Sequence, residues 1–202
     1  MSSHHFVKEQ QEPAVLILDT EGLSFDLVSP LLEWVPTVLV WQECLEQVLS
    51  WGIKVDVILA EDRFQRENLH LLEEQYPVKF LTAEKGSFLN EGLLYLKATQ
   101  HKGAHLVGFA HQNWEDLAPE LEFMDLTLLD AGWKYYPVKT QEFKKWFVAS
   151  KIRVLGKEGM PLEISNADGK LFLPLIYLTQ VEVPEGITEI KGAEIFWVGE
   201  EV

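Results

Sequence analysis

The sequence predicts an α/β fold: a parallel-sheet, Rossmann-like N-terminal domain over residues 1–135, followed by a small all-β, sandwich-like domain over residues 136–202. Two observations predict the first part. Short, continuous apolar runs recur along the chain, and segments of helical period, about 10 to 15 residues long, lie between them. A third observation predicts the second part. Beyond Pro137 helical periodicity stops, and clusters of turn residues separate strand-like runs.

Each element has its own reason. Residues 14–18 are apolar throughout and are followed at once by Asp19, Glu21 and Gly22, the pattern of a buried strand ending in a loop. Residues 29–34 predict a short helix, and Pro36 breaks it before a second buried strand over 37–41. Leu45, Val48 and Leu49 recur at helical spacing within 43–51, and Gly52 stands where a helix C-terminal glycine belongs. A third strand covers 55–60 and is closed by Glu61 and Asp62. Leu69, Leu71 and Leu72 mark an amphipathic helix over 65–75, ended by Pro77. A fourth strand over 78–82, a helix over 89–100 and a fifth strand over 105–110 complete the series. Strands alternating with helices imply a parallel sheet with right-handed crossovers. In the C-terminal part, 147–155, 171–180, 187–190 and 193–198 predict strands. Gly156, residues 166–169, Pro184 and Gly186 supply their turns, and the domain boundary is expected between Leu129 and Glu142.

Composition narrows the function. The chain carries 17 Lys+Arg against 32 Asp+Glu, a net charge of −15. That excludes general nucleic-acid binding and docking on an anionic membrane surface, both of which need clustered cations. A hydrophobic content of 47% supports a packed core and excludes a disordered acidic tail. No apolar run reaches the roughly 20 residues that span a bilayer. Cys44 is the single cysteine, so neither an internal disulfide nor a cysteine zinc site exists. The N-terminal residues lack the apolar core of a signal peptide. Together these features predict a cytoplasmic protein.

Open parallel sheets bind ligands outside the carboxyl ends of their strands. The residues there are Asp19 and Glu21, Gln42 and Glu43, Glu61 and Asp62, Glu84 and Lys85, and His111, Gln112 and Asn113. Carboxylates at successive strand ends suit Mg²⁺ shared with substrate phosphates. They equally suit helix N-termini, where acids meet the dipole. Residues 84–87 lack the upstream glycine of a P-loop, and no dinucleotide fingerprint is present. His101, His105 and His111 straddle a strand and are expected on the surface rather than on a shared metal. Trp34, Trp51 and Trp114 are expected in a core or an interface. Trp197 is either a packed β-domain aromatic or a platform for a heteroaromatic ring. No serine, histidine and acid set stands out.

The order of segments, and motifs within them, resembles the thiamine pyrophosphokinases over most of residues 14–130, with an all-β tail that agrees in kind. The family's Asp-Gly-Gly after a strand corresponds to Gln42, Glu43 and Cys44. Its glycine, Pro-Asp, strand and Gly-Asp-x-Asp-Ser correspond to Gly52, Asp56 and residues 60–64. Its Glu-Lys-Asp-x-Thr-Asp-x-Glu corresponds to residues 84–91, with Glu84, Lys85 and Glu91 retained. Its Gly-Gly-Arg-x-Asp-His corresponds to residues 111–116, after the retained Gly108.

The resemblance implies diphosphate transfer from ATP to the hydroxyl of thiamine, with Mg²⁺, in a homodimer. On that alignment Glu61 and Asp62 are the catalytic candidates, and Glu61, Asp62 and Asp19 the metal candidates. Gln42, Glu43, Lys85, Asn113, Glu115 and Trp197 are the ligand-binding candidates. The departures fall on the chemistry. Five family aspartates become Gln42, Glu61, Arg63, Gly86 and Leu89, and the phosphate-holding arginine becomes Asn113, which removes a bidentate cationic donor. Diphosphoryl transfer rests on metal placement and charge neutralisation. The preferred expectation is therefore a family-like protein with lost or much reduced activity and a retained pocket for thiamine or a related heterocycle. The first alternative is an active enzyme whose metal site is rebuilt from Asp62, Asp19, Glu43 and Glu115. The second is an unrelated α/β enzyme acting on a phosphorylated metabolite.

Overall fold

The computed structural model describes residues 12–202, and the chain divides into two compact units, the first ending at Ala131 and the second spanning Gly132–Val202. The first unit contains β1 (Ala14–Ile17), β2 (Val38–Trp41), β3 (Val57–Ala60), β4 (Lys79–Thr82), β5 (Gly103–Val107) and β6 (Asp125–Asp130). They run parallel in the order β6-β5-β1-β2-β3-β4. Every residue of β1, β2 and β3 is buried, which is why these strands read as unbroken apolar runs.

The helices are α1 (Phe25–Val28), α2 (Leu45–Ser50), α3 (Asp62–Glu67), α4 (Leu71–Glu74) and α5 (Phe88–Ala98). Helix α5 buries Gly92, Leu93 and Leu96. A Cβ on Gly92 would sit 3.1 Å from Leu16 and 3.3 Å from Leu59, so glycine lets the helix backbone lie directly on the sheet. Gly52 follows α2 with φ +73° and its N–H bonds the Leu49 carbonyl, the left-handed helix end that its position predicts. Among the described residues, no helix is long and apolar enough to cross a membrane.

Two expectations for this unit needed correction. The helix over 65–75 is two short helices. Asn68 ends α3 by turning its side-chain amide back onto the Phe64 carbonyl at 2.9 Å, a local bond that competes with helix continuation. Strand β6 was not anticipated, because Asp125, Thr127 and Asp130 interrupt its apolar residues and leave no continuous run.

The second unit contains β7 (Trp133–Val138), β8 (Glu142–Phe147), β9 (Ser150–Leu155), β10 (Pro161–Asn166), β11 (Gly169–Pro174), β12 (Leu178–Val183), β13 (Gly186–Gly192) and β14 (Phe196–Glu201). Its strands are ordered β12-β9-β14-β7 in one sheet and β11-β10-β13-β8 in the other, with antiparallel pairing. One apolar core draws on both: Ile152, Val154, Phe196 and Val198 from the first, Phe147, Leu162, Ile164 and Ile190 from the second. The run 147–155 is in fact the end of β8 and all of β9, which lie in different sheets. The run 171–180 breaks around the fully buried Leu175 and around Tyr177, whose φ is +36°. Strand β10 was missed because it alternates, with only Leu162 and Ile164 turned into the core. The opposite face of the second sheet is charged. Lys170 meets Glu163 at 2.6 Å, and Glu189 meets Lys191 at 2.6 Å and Lys144 at 3.8 Å.

Candidate functional site

The strand order fixes where a ligand crevice belongs. The chain steps from β1 outward to β4, then returns to the other side of β1 for β5 and β6, so the topological switch falls between β1 and β5. The two loops that leave these strands meet closely. Gly108 follows β5 with φ +75°, and a Cβ there would lie 2.2 Å from the Asp19 carbonyl oxygen. Only glycine fits this contact, which accounts for the glycine retained after the fifth strand.

Along the same carboxyl-end rim, polar side chains bond the rim itself. The Gln42 Oε1 accepts the backbone N–H of Glu61 at 2.8 Å, tying the ends of β2 and β3. Gln65 Nε2 donates to the Ala60 carbonyl at 2.8 Å and to Thr82 Oγ1 at 3.0 Å, tying β3 to β4. Asp19 Oδ1 accepts the N–H of Glu21 at 2.9 Å, closing its own turn. Asp62 Oδ1 accepts from Thr82 Oγ1 at 3.4 Å. Asp56 lies before β3 and accepts the Val38 N–H at 2.8 Å, a framework role.

The sequence-predicted residues distribute as follows. Glu61 is half-buried at the N-cap of α3, and Asp62 is exposed in its first turn. Gln42 is half-buried; Asp19, Glu43, Lys85, Asn113 and Glu115 are exposed. Among the described residues, no group of three or more His, Cys, Asp or Glu is arranged to hold a metal ion. Asp19, Glu61 and Asp62 are thus not brought together as one ligand set. Mg²⁺ held by protein side chains alone would need more oxygen ligands than these residues bring together; a nucleotide-bound Mg²⁺ would take one or two carboxylates and complete its shell with phosphates and water.

Trp197 is fully buried in β14, between Pro137 of β7 and Leu155 of β9, and offers no open face to a ring. Two of the three histidines expected on the surface are buried instead, because each ring has polar partners. His101 is bracketed by Thr99 Oγ1 at 2.9 Å and Thr37 Oγ1 at 3.1 Å. His111 directs both its backbone N–H (2.9 Å) and its Nδ1 (2.6 Å) at Asp130 Oδ2. His105 is half-buried beside Thr127. Asp130 had no sequence signal, since it belongs to the strand that was missed. Trp114 lies in the core, whereas Trp34 is 71% exposed.

Cys44 sits buried beside this rim. Burial first, and then the nearby negative charge of Asp19, push its thiol up to about 11. At neutral pH it is protonated and a poor nucleophile or metal ligand.

No protein-family model matches the sequence, and no curated protein matches it. Similar solved structures exist. Thiamine pyrophosphokinase from Bacillus subtilis is 11% identical with a TM-score of 0.73, over 94% of this chain and 99% of that one. Thiamin pyrophosphokinase from Geobacillus thermodenitrificans is 11% identical with a TM-score of 0.70, over 94% and 96%. Thiamin pyrophosphokinase from Candida albicans is 7% identical with a TM-score of 0.63, over 96% and 94%. At such identities the likeness establishes the fold: a mixed α/β unit with a parallel sheet, then an antiparallel unit, as in these kinases.

Proposed function

We propose that this chain is a thiamine pyrophosphokinase-like protein in which ATP:thiamine diphosphotransfer is lost or much reduced, and which keeps a pocket for thiamine or a related heterocycle. We read its units as Rossmann-like and sandwich-like domains, and the protein as a cytoplasmic homodimer; the lone protonated thiol of Cys44 suits a reducing compartment. One observation carries the reading: the rim carboxylates do not converge on a point, while Gln42, Gln65 and Asp19 bond the rim's own backbone. Phosphoryl chemistry needs metal and charge at one place, and polar groups spent on the rim's own backbone support a reading of reduced activity.

The test is direct. Purified protein given thiamine and Mg-ATP is expected to yield no thiamine diphosphate. Turnover that disappears in Glu61→Ala would overturn the reading in favour of an active enzyme with a rebuilt metal site. Calorimetry with thiamine, thiamine diphosphate and ATP addresses the pocket, and failure of all three to bind removes that half of the proposal.

A further inference from the structure

We propose that the amino-terminal edge of the parallel sheet, opposite the rim, is a binding site for a small planar aromatic ring bearing one anionic group. The first unit has a cavity there of about 750 Å³, within the range that holds small ligands. Its floor is the start of three neighbouring strands: Thr37 and Val38 at β2, Asp56 before β3, and Lys79 at β4. Trp34, Tyr95 and Trp51 supply aromatic walls.

Two features of the wall are unfavourable for a sheet edge with no ligand. Val35 is a β-branched residue held at φ +52°, a conformation such residues rarely adopt, and its N–H closes a turn onto the Leu32 carbonyl at 3.1 Å. That turn keeps Trp34 71% exposed at the cavity, while the rest of the segment enters the core at β2. Strain of this kind persists mainly at clamps and active sites. An exposed, pre-positioned indole is the group that a flat ring would stack on.

Two acidic and two basic side chains line the cavity, Glu12 and Asp56 against Lys54 and Lys79, and the sign of the ligand is argued from Lys79, the cation set against an aromatic wall. Lys54 pairs with Asp56 at 3.7 Å, and Asp56 also accepts the Val38 N–H, so that pair is mutually satisfied. Lys79 differs. Its Nζ lies over the Tyr95 ring, 4.7 Å from the centroid. A ligand stacked on the exposed Trp34 indole within this cavity would bring its carboxylate, sulfonate or phosphate to this ammonium, adding an ion pair to the cation–π contact that Lys79 already makes with Tyr95. Thiamine, being cationic, would meet like charge at Lys79. The site therefore stands apart from the rim and from the function proposed for it.

The probe is 2-naphthoate, with 2-naphthol as its neutral counterpart and 2-naphthylmethylamine as the cationic one. Binding is followed by calorimetry and by ligand-observed NMR. Naphthoate is expected to bind saturably, about fivefold to tenfold tighter than naphthol, with the amine weakest. Lys79→Met should abolish the preference for the anion while leaving naphthol binding in place. Trp34→Ala should weaken naphthoate and naphthol alike. Both side chains are exposed, so thermal melting should not change. The proposal is overturned if naphthoate shows no saturable binding at millimolar concentration, if the three probes bind equally, or if neither variant alters binding. A kinase assay that turns out positive leaves these outcomes unaffected.

Discussion

The two edges of the parallel sheet use the same kinds of residue to opposite ends. At the carboxyl rim, Gln42, Gln65 and Asp19 bond neighbouring backbone, and Gly108 brings one loop against another with no room for a methyl group. At the amino edge, Lys79 lies over a ring, Trp34 stands out of the core, and a cavity of about 750 Å³ opens between them. The difference teaches that polar residues at strand ends do not define a site by number. What counts is whether their hydrogen-bonding capacity is directed into the fold or left facing a space. The rim uses its polar residues for architecture. The amino edge has no motif, yet it sets an exposed indole and a lysine against a cavity.

The largest expected effect tests how tightly the rim is closed. Gly108→Ala adds a Cβ 2.2 Å from the Asp19 carbonyl at a φ of +75°, and should cost about 3 kcal/mol or more by urea unfolding. Gly86→Ala is the control, with φ +91° and nothing within 4 Å of the added carbon; it should cost only about 1 kcal/mol, the conformational penalty alone. Equal losses in the two variants would mean that the loop contact at the switch contributes nothing.

Next is Asp56→Ala at the amino edge. It strands the N–H of Val38, a residue 4% exposed, and should cost about 1–3 kcal/mol. Gln42→Ala at the rim removes the partner of the Glu61 N–H, which is only half-buried and can reach water; about 1 kcal/mol is expected. A Gln42 variant that loses more stability than the Asp56 variant would reverse the comparison and make the rim the more demanding edge.

The sequence was informative where structure obeys local rules. Strands β1, β2, β3 and β5, the helices α2 and α5, and the turn at Gly52 follow from apolar runs, helical spacing and a glycine with positive φ. Strands β6 and β10 were not legible, because their inward residues alternate with polar ones and a short alternating run resembles a loop. The candidate residues do follow strands, as the pattern predicts, but convergence is a property of three dimensions. Glu61 and Asp62 are adjacent in sequence, yet one is half-buried at the N-cap position of α3 while the other faces solvent in its first turn. The pairing of His111 with Asp130 spans 19 residues and depended on a strand that the pattern concealed. The amino-edge cavity had no motif at all. Its parts come from a turn, three strand starts and a helix, and only the fold assembles them.

The smallest expected effect vanishes at neutral pH and tests the amino edge from inside. His101 is 6% exposed, its Nε2 faces Thr37 Oγ1 on the cavity floor, and its Nδ1 faces Thr99 Oγ1. Thr99 Oγ1 donates to the Tyr95 carbonyl at 2.8 Å, so toward His101 it acts as an acceptor. That assigns the proton of the neutral ring to Nδ1 and leaves Nε2 to accept from Thr37. Burial lowers the His101 pKa below its ordinary 6.5. The unfolded chain therefore takes up a proton as pH falls through about 6.5, whereas the folded chain resists it until lower pH. Between those points the unfolded state binds more protons, so this group makes stability rise with pH and withdraws it on acidification. Above about pH 6.5 both states are neutral and the contribution is nil. His101→Gln should flatten the stability–pH curve below that point, with the other histidines cancelling in the difference. An unchanged slope between about pH 6.5 and 5 would show that the ring charges freely in the folded protein, and that the floor of the cavity is wetter than its geometry implies.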